Sequence, residues 1–424
     1  MNLVKTYGTI IKKYADTNPK TARKLIQTGL HLELFRTRHL ATKGMPAAYQ
    51  KLNTLAVKST LFALEHPEQT AWTNIFTPVE ILQCFGLNSL SIECLSSFMS
   101  GFTCEDYFID HAEQEGIAPT LCSYHKDFIG AADSGVIPKP VFSTTTSMIC
   151  DGNINTFRHL EKLHDINTFY LDIPNEYSKD AVNYVTAQLK EMISTLERIT
   201  GKVFDMDELS LVLQRENESK QYYKKFLEEK KRRYYPTTLT LQLYMLFATH
   251  LQIGSKETLD FFRSLYEDIL TYPEFQGKRI VWVHLLPFYQ ETLKHYFNLS
   301  DHYQIQSCDL NLDYMEELDV THPLEALATK MLCNLYNGPY AKKADFVASL
   351  AKDMNADGVI HFCHWGCKQS SGGIFQLKQA MKNENIPLLI LDGDGMDRRN
   401  SHDGQIKTRL EAFLELLNNL DSTI

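Results

Sequence analysis

The sequence lacks long hydrophobic runs, a secretory leader and an excess of basic residues, and each absence excludes a class of protein. No stretch reaches the roughly eighteen consecutive apolar residues that a membrane-spanning helix requires. The opening segment, MNLVKTYGTIIKKYADTNPK, has no apolar core of the kind found in signal peptides. The formal net charge is −9, so no surplus of cations is available to neutralise nucleic-acid phosphates. We therefore expect a cytoplasmic protein that binds neither membranes nor nucleic acids.

The sequence also lacks any regular cysteine framework, although it contains nine cysteines in 424 residues. Their number is odd and their spacing irregular, which argues against a set of structural disulfides. In a reducing compartment the remaining roles are buried apolar residue, metal ligand and reactive thiol. The nine are Cys84, Cys94, Cys104, Cys122, Cys150, Cys308, Cys333, Cys363 and Cys367.

Several catalytic and metal-binding motifs are absent as well. There is no C-x-x-C pair and no histidine spacing typical of a zinc finger, which disfavours a structural zinc site and a dithiol redox site. There is no G-x-S-x-G for a serine hydrolase and no phosphate-binding loop. The acidic stretch LLILDGDGMD, residues 388–397, lacks the ligand spacing of a calcium loop and is interpreted as a turn at the end of a strand.

The pattern of apolar residues predicts an α/β protein with two Rossmann/flavodoxin-like parallel-sheet domains and helical N-terminal and middle segments. Short apolar runs that alternate with amphipathic stretches are typical of parallel sheets covered by helices. Such runs occur in IAPTLCSY, KPVFSTTTSMICDG and INTFYLDIP, and again in KRIVWV, YQIQSC, ADGVIHFC and IPLLILDG. The predicted divisions are a helical segment at 1–65, an α/β domain at 66–200, a helical segment at 201–275 and an α/β domain at 276–424.

The middle segment contains a stretch rich in charge, QRENESKQYYKKFLEEKKRRYY, at residues 214–235. Acidic and basic residues four positions apart are typical of a solvated helix surface. We therefore predict that this helix presents its charged residues to solvent.

Three cysteines occur in the same kind of context. Cys122, Cys150 and Cys367 each follow a predicted strand and precede a predicted helix. The carboxyl edge of a parallel sheet is where ligands bind, and a helix N-terminus lowers the pKa of a nearby thiol. Three such thiolates from separate loops would suit an iron–sulfur cluster, whose bonds are mainly to thiolates. The alternative that the pattern leaves open is three ordinary buried or loop thiols.

Cys363 competes with Cys367 for the third position. Cys363 lies within the predicted strand GVIHFC, where a cysteine is typically a core residue, whereas Cys367 follows a glycine and precedes a polar helix start. We therefore favour Cys367 as the ligand and keep Cys363 as the alternative.

These contexts, together with the C-terminal part of the chain, resemble the 2-hydroxyacyl-CoA dehydratase and benzoyl-CoA reductase family, and most closely its 2-hydroxyglutaryl-CoA dehydratase D-component type. The resemblance runs from about residue 70 to the end of the sequence. It includes the P-x-E helix in TPVEILQCFGL and the segment LCSYHKDFIG around the first cysteine. The C-terminal matches are Cys367-Lys368, Ile386-Pro387, Asp397 with Arg399, Gly404-Gln405 and Thr408-Arg409 with Glu411-Ala412-Phe413.

The resemblance implies a 4Fe-4S cluster held by Cys122, Cys150 and Cys367, with one iron that has no cysteine ligand. It implies that one electron reduces a hydroxyacyl-CoA thioester to a ketyl radical, which then loses water. The electron would come from an ATP-hydrolysing activator, and the partner would be a homologous second subunit in a heterodimer, or a second copy in a homodimer. The predicted neighbours of the cluster are His361, His364, Lys368, Gln369 and Ser370.

The sequence departs from the family pattern in one place. Many members have Asn-Arg-x-Cys-Lys where this chain has His364-Trp365-Gly366-Cys367-Lys368. A sister branch of the family holds an 8Fe-9S double-cubane cluster and reduces small molecules. The additional cysteines keep that branch as an alternative, and a non-catalytic electron-transfer or partner subunit is a further one.

Overall fold

The computed structural model describes residues 3–40 and 42–420 of the chain. It contains two four-stranded parallel sheets surrounded by helices, which confirms the predicted α/β class with two Rossmann/flavodoxin-like units. The strands are β1 Thr70–Thr73, β2 Asn88–Ser91, β3 Phe142–Thr146, β4 Thr168–Leu171, β5 Lys278–Val283, β6 Tyr303–Cys308, β7 Gly358–His364 and β8 Leu388–Gly393.

The two sheets share one topology. The first sheet has the order β2-β1-β3-β4 and the second sheet has the order β6-β5-β7-β8. Every pair of neighbouring strands in both sheets is parallel. This order is that of the first four strands of a flavodoxin-like fold, in which ligands bind at the carboxyl ends of the central strands.

Helices account for most of the remaining chain. They are α1 Leu3–Thr17, α2 Pro19–His39, α3 Ala47–Glu65, α4 Val79–Cys84, α5 Ile92–Gly101, α6 Glu105–Gln114, α7 Ser123–Asp133, α8 Asp151–His164, α9 Lys179–Thr200, α10 Met206–Lys230, α11 Leu239–Leu246, α12 Lys256–Ile269, α13 Glu291–Phe297, α14 Pro323–Cys333, α15 Tyr340–Asp353, α16 Lys368–Ser371, α17 Ile374–Asn383 and α18 Asp403–Leu420. None of the described helices is long and apolar enough to cross a membrane.

Local sequence signals explain where the long helices begin and end. The Ser178 side chain accepts a hydrogen bond from the backbone N–H of Ala181 and caps α9, which Gly201 ends in a left-handed conformation. The Asp205 side chain caps the start of α10 in the same way. These signals place the helical stretch between the two sheets as the sequence predicts.

The hydrophobic core extends across both sheets. One buried cluster includes Ala71 of β1 together with Ile280 of β5 and Ile360 of β7. Helix α3 also contributes to two clusters, because Ala56 packs with the first sheet and Tyr49 with residues around the second. The two sheets therefore share apolar contacts, which fixes the position of one carboxyl edge relative to the other.

Two expectations about local structure were wrong. Residues 117–122 form turns rather than a strand, so Cys122 begins α7 without a strand before it. The charge-rich helix α10 does not present all of its charges to solvent, because Glu216 and Lys220 are buried. Glu216 accepts hydrogen bonds from Lys330 at 2.7 Å, and the same ammonium reaches Glu80 at 2.6 Å. The buried charges are thus paired with one another, as burial requires.

Candidate functional site

A cavity of about 350 Å³ lies where the carboxyl ends of the two sheets face each other. The loops that follow β3, β5 and β7 contribute to its wall. The lining residues are Ile75, Phe76, Glu93, Ala118, Thr120, Leu121, Cys122, Tyr124, His125, Ile149, Cys150, Asp151, Gly152, Asn153, Asn155, His284, Leu285, Leu310, His364, Gly366, Cys367, Lys368 and Gln369. The structure therefore brings Cys122, Cys150 and Cys367 together at one cavity, although they are far apart in sequence.

Cys122 is the residue that precedes the first turn of α7, and its side chain is buried. Its sulfur lies 3.1 Å from the Nε2 atom of His364, at the end of β7 in the other sheet. Gly366 allows this approach: it has φ +78°, and a Cβ there would lie 2.7 Å from the Cys122 backbone nitrogen. Only glycine accommodates both the left-handed backbone and the close contact.

Cys150 follows β3 and precedes the first turn of α8. The residue before it, Ile149, has φ +64°, a conformation that a β-branched side chain disfavours. Such local strain is typical of functional sites, where the surrounding structure maintains it. The Cys150 sulfur lies 3.7 Å from the Nε2 atom of His125, which is one turn into α7.

Cys367 follows β7 and precedes α16, and its sulfur lies 3.3 Å from the Nε2 atom of His284. His284 immediately follows β5 and has φ +73°. The second sheet thus supplies one thiol and two imidazoles to the cavity, from the ends of its two central strands.

Burial controls the ionisation of these thiols in the cluster-free chain. Burial raises the pKa of Cys122 well above its usual value, and the other two cavity thiols raise it further. Burial also raises the pKa of Cys150 to about 11, with the Cys367 thiol contributing. The expectation that helix N-termini lower these pKa values was therefore wrong for Cys122 and Cys150, because desolvation outweighs the helix dipole. A cationic metal centre would reverse this balance by binding the thiolates.

Cys363 lies within β7 and is buried, which confirms its predicted place inside the strand. It does not line the cavity. Its side chain faces Asp392 of the neighbouring strand, and burial, with that carboxylate contributing, raises its pKa to about 11. Cys363 is therefore a buried residue of the strand that lies beside the cavity.

The other predicted neighbours of the cluster divide into two groups. His364, Lys368 and Gln369 line the cavity, and Lys368 lies at its mouth with 89% of its side chain exposed. His361 and Ser370 are buried and do not line the cavity. His361 Nε2 is 2.7 Å from the Ser370 carbonyl oxygen, and the Ser370 hydroxyl donates to the carbonyl oxygens of His364 and Cys367. These two residues support the loop that carries Cys367.

Sequence reasoning missed several polar residues that line the cavity, among them His125, His284 and Glu93. His125 was detectable, because it lies three positions after Cys122 and so shares its face of a helix. His284 follows the predicted strand KRIVWV, at the edge where ligand-binding residues are expected. Glu93 had no such signal, since the short strand β2 before it was not predicted.

Burial shifts the pKa values of the cavity histidines and of Glu93 towards their neutral forms. Burial lowers the pKa of His125 to about 4, and it lowers the pKa values of His284 and His364 as well. Burial raises the pKa of Glu93 to about 7, and its Oε2 atom has no hydrogen-bond partner. Glu93 is therefore a carboxyl group able to take or release a proton near neutral pH.

The donor set indicates which metal group the cavity suits. Within residues 3–40 and 42–420, no group of three or more His, Cys, Asp or Glu side chains is arranged to hold a metal ion. In an iron–sulfur cluster each thiolate binds a different iron, so the ligands surround a larger volume than those of one ion. Three thiols on the wall of one cavity fit such a cluster better than a mononuclear site.

Comparison with known proteins supports the resemblance seen in the sequence. The sequence model of the family "2-hydroxyglutaryl-CoA dehydratase, D-component" matches residues 74–417. The chain is 25% identical to the (R)-phenyllactyl-CoA dehydratase alpha subunit of Clostridium sporogenes, over 84% of this chain and 91% of that protein. It is 22% identical to the (R)-2-hydroxyisocaproyl-CoA dehydratase alpha subunit of Clostridioides difficile, with the same coverage of both proteins.

A beta subunit is also similar to this chain. The (R)-phenyllactyl-CoA dehydratase beta subunit of Clostridium sporogenes is 24% identical over 55% of this chain and 63% of that protein. The similarity to the alpha subunits is thus the more extensive one. The family match covers seven of the eight strands, all but β1, and all three cavity cysteines, and the chain belongs to the 2-hydroxyglutaryl-CoA dehydratase D-component family.

Proposed function

We propose that this chain is an alpha-type, cluster-bearing subunit of a 2-hydroxyacyl-CoA dehydratase. The observation that carries the proposal is the meeting of Cys122, Cys150 and Cys367 at one cavity, in a chain whose relatives are dehydratase subunits. We assign these three cysteines as the ligands of a 4Fe-4S cluster. When bound, such a cluster would supply one electron to the thioester and take it back after water has been eliminated, so that the dehydration is redox-neutral overall.

The chain's own residues would bind the substrate and handle the proton. Glu93 faces the cavity with an unpartnered oxygen and a pKa raised to about 7 by burial. It can protonate the departing hydroxyl group or accept the proton lost from the acyl chain. The walls formed by the two sheets would exclude bulk water, which protects a radical from side reactions.

The cavity wall points to the class of acyl group. Ile75, Phe76, Leu285 and Leu310 form an apolar surface beside the cysteines. Lys368, at the mouth, is the one lysine or arginine among the described lining residues. A terminal carboxylate on the acyl chain would be buried there without a cation, which is costly. We therefore propose an acyl-CoA whose acyl chain is uncharged and apolar.

The proposed partners follow from the relatives. Since those relatives are alpha and beta subunits, we propose that the chain pairs with a homologous second subunit. A separate ATP-hydrolysing activator would deliver the electron. A homodimer is the alternative assembly.

The double-cubane alternative would need more thiols at the cavity. Cys84, Cys104, Cys308 and Cys363 do not line it, and Cys104 is buried in a different part of the core. Three thiols favour one cubane. Iron content separates the two cases, at about four irons per chain for a cubane and about eight for a double cubane.

The proposal is tested by anaerobic purification with iron counting. We expect about four irons per chain, and nearly complete loss of iron in each of Cys122→Ala, Cys150→Ala and Cys367→Ala. Cys363→Ala is the matched control, because it removes a neighbouring thiol that lies off the cavity. Full iron content in Cys367→Ala would contradict the ligand assignment.

Binding of acyl-CoA thioesters to the loaded chain tests the substrate. Calorimetry should show tighter binding of an apolar 2-hydroxyacyl-CoA than of a 2-hydroxydicarboxylic one. Absence of binding by any CoA thioester would favour the non-catalytic alternative, in which the chain only transfers electrons or supports a partner. Equal binding of both thioesters would contradict the assignment of an apolar acyl group alone.

A further inference from the structure

Each of the three cavity thiols faces one histidine. The sulfur–Nε2 distances are 3.1 Å for Cys122 and His364, 3.3 Å for Cys367 and His284, and 3.7 Å for Cys150 and His125. All three distances are within the range of hydrogen bonds to sulfur. The segment at 364–368, where the chain departs from the Asn-Arg-x-Cys-Lys pattern, supplies one of these histidines.

The hydrogen bonds of His364 identify which nitrogen carries the proton. Its Nδ1 atom accepts a hydrogen bond from the backbone N–H of Gly395 at 2.9 Å. A neutral imidazole that accepts at Nδ1 carries its proton on Nε2. The Nε2–H group of His364 therefore points at the Cys122 sulfur and donates to it.

The backbone of His284 is anchored beside the cavity. Its backbone N–H donates to the Asp309 carboxylate at 2.7 Å, and the other oxygen of that carboxylate is held by Lys343 and Tyr336. The Nδ1 atom of His284 is buried without a partner. A buried N–H without an acceptor is costlier and rarer than a buried lone pair without a donor. The proton therefore belongs on Nε2, where the Cys367 sulfur accepts it.

His125 completes the set with a longer contact. Its Nδ1 atom lies 3.0 Å from the Thr156 hydroxyl, which can donate to it and leave the proton on Nε2. A Cβ on Gly152 would lie 3.1 Å from that Nε2 atom, so the start of α8 packs directly against the ring. The rings of His364 and His125 are thus held at Nδ1 by groups other than the thiols.

We propose that His364, His284 and His125 donate N–H···S hydrogen bonds to the three ligand thiolates and thereby set the reduction potential of the cluster. This inference rests on the proposed function, since it requires the cluster. Hydrogen bonds to the sulfurs are among the factors that tune iron–sulfur potentials. A donated N–H stabilises the more negative, reduced cluster, so each bond raises the potential.

The inference is tested by spectroscopic redox titration of the anaerobically prepared, cluster-loaded chain. His364→Leu and His284→Leu should each shift the midpoint potential to a more negative value, and His125→Leu should shift it least because its contact is longest. His364→Gln should restore much of the potential, because the Gln amide reaches the position of Nε2. His111→Leu is the control: His111 is a partly buried histidine of α6 whose Nε2 atom contacts the Asp133 carboxylate and no sulfur, and it does not line the cavity. Its potential should equal that of the wild-type chain.

The outcomes separate this inference from the function on which it rests. Wild-type chain without iron would refute the cluster itself. If all three Leu variants keep the iron content and the midpoint potential of the wild-type chain, the proposed role of the histidines is overturned and the cluster assignment is unaffected. If a Leu variant loses its iron, the midpoint potentials of the Gln and Asn variants at that position are compared instead. The Gln amide reaches the sulfur and the Asn amide falls short of it, so the Asn variant should have the more negative potential. Equal potentials in that pair would also overturn the inference.

Discussion

The two sheets have the same strand order and differ in the length and polarity of their strands and in what they contribute to the cavity. The strands of the first sheet have four or five residues and include the polar runs NSLS and FSTTT. Those of the second sheet have six or seven residues and include KRIVWV and GVIHFCH. The first sheet contributes two thiols through the starts of α7 and α8, whereas the second contributes one thiol and two imidazoles at the ends of its central strands.

Neither sheet therefore carries a complete site. Cys150 and His125 both lie beside the first sheet, and Cys367 and His284 both lie beside the second. The Cys122–His364 contact joins the two. The same fold, used twice, supplies complementary parts of one donor set.

The largest effect is expected where the two sheets touch. In Gly366→Ala the new Cβ would lie 2.7 Å from the backbone nitrogen of Cys122, at a residue with φ +78°. Backbone atoms cannot move aside cheaply, so the loop that carries Cys367 should shift away from Cys122. We expect nearly complete loss of bound iron, measured per chain after anaerobic reconstitution.

Gly404→Ala is the control for Gly366→Ala. A Cβ on Gly404 meets no atom within 4 Å, and the residue lies in the first turn of α18. This variant should keep its iron and its stability. Wild-type iron content in Gly366→Ala would show that the two sheets do not depend on this contact.

A second test breaks the ionic link between the first sheet and the helices around the second. Lys330 of α14 lies 2.6 Å from Glu80 of α4 and 2.7 Å from Glu216 of α10, and both carboxylates are almost fully buried. Lys330→Met removes the ammonium group that pairs with both carboxylates. We expect the free energy of unfolding to fall by about 3–5 kcal/mol in chemical denaturation.

The exposed pair Lys352–Glu384 supplies the comparison for Lys330. Its two side chains are 59% and 40% exposed, so Lys352→Met should change the free energy of unfolding by less than about 1 kcal/mol. Similar small effects for both variants would mean that the buried charges do not hold the two regions together.

The last test concerns a buried cation beside the second sheet. Burial lowers the pKa of Lys230 to about 7, and its ammonium group donates to the carbonyl oxygen of Ile305 in β6. Above pH 7 the folded chain has released this proton, while the unfolded chain holds it up to the ordinary lysine pKa of about 10.4. The free energy of unfolding should therefore rise with pH across this window, by at most about 1.4 kcal/mol per pH unit.

Lys230→Met should abolish that rise, as measured by denaturation at several pH values between 7 and 10. Lys224→Met is its control, because Lys224 is exposed on the same helix. A rise that persists in Lys230→Met would assign the pH dependence to another group.

The second sheet was more predictable than the first, for a physical reason. KRIVWV, GVIHFCH and LLILDG contain apolar runs, YQIQSC begins with alternating apolar and polar residues, and all four strands were predicted from the sequence. In the first sheet β3 and β4 were predicted, whereas TAWT and NSLS were missed. Runs of only four residues that mix polar and apolar side chains give no clear period-two signal, and such strands form because neighbouring strands and helices bury them.

The candidate site shows the same division. Cys122, Cys150 and Cys367 were selected from their position before predicted helices, and the structure places each at a helix start. Their role as ligands stays a prediction. Glu93 was not found, because its place on the cavity depends on β2, which the sequence pattern did not indicate.

The sequence alone determined the α/β class, the order of most elements, the family resemblance and which cysteines begin helices. These features depend on local patterns, namely the spacing of apolar residues and the residues that end strands and begin helices. The tertiary structure decided that the three thiols face one cavity, that each meets an imidazole, and that Cys363 does not reach them. Those facts depend on contacts between residues up to 242 positions apart, which only the packing of the two sheets against each other creates.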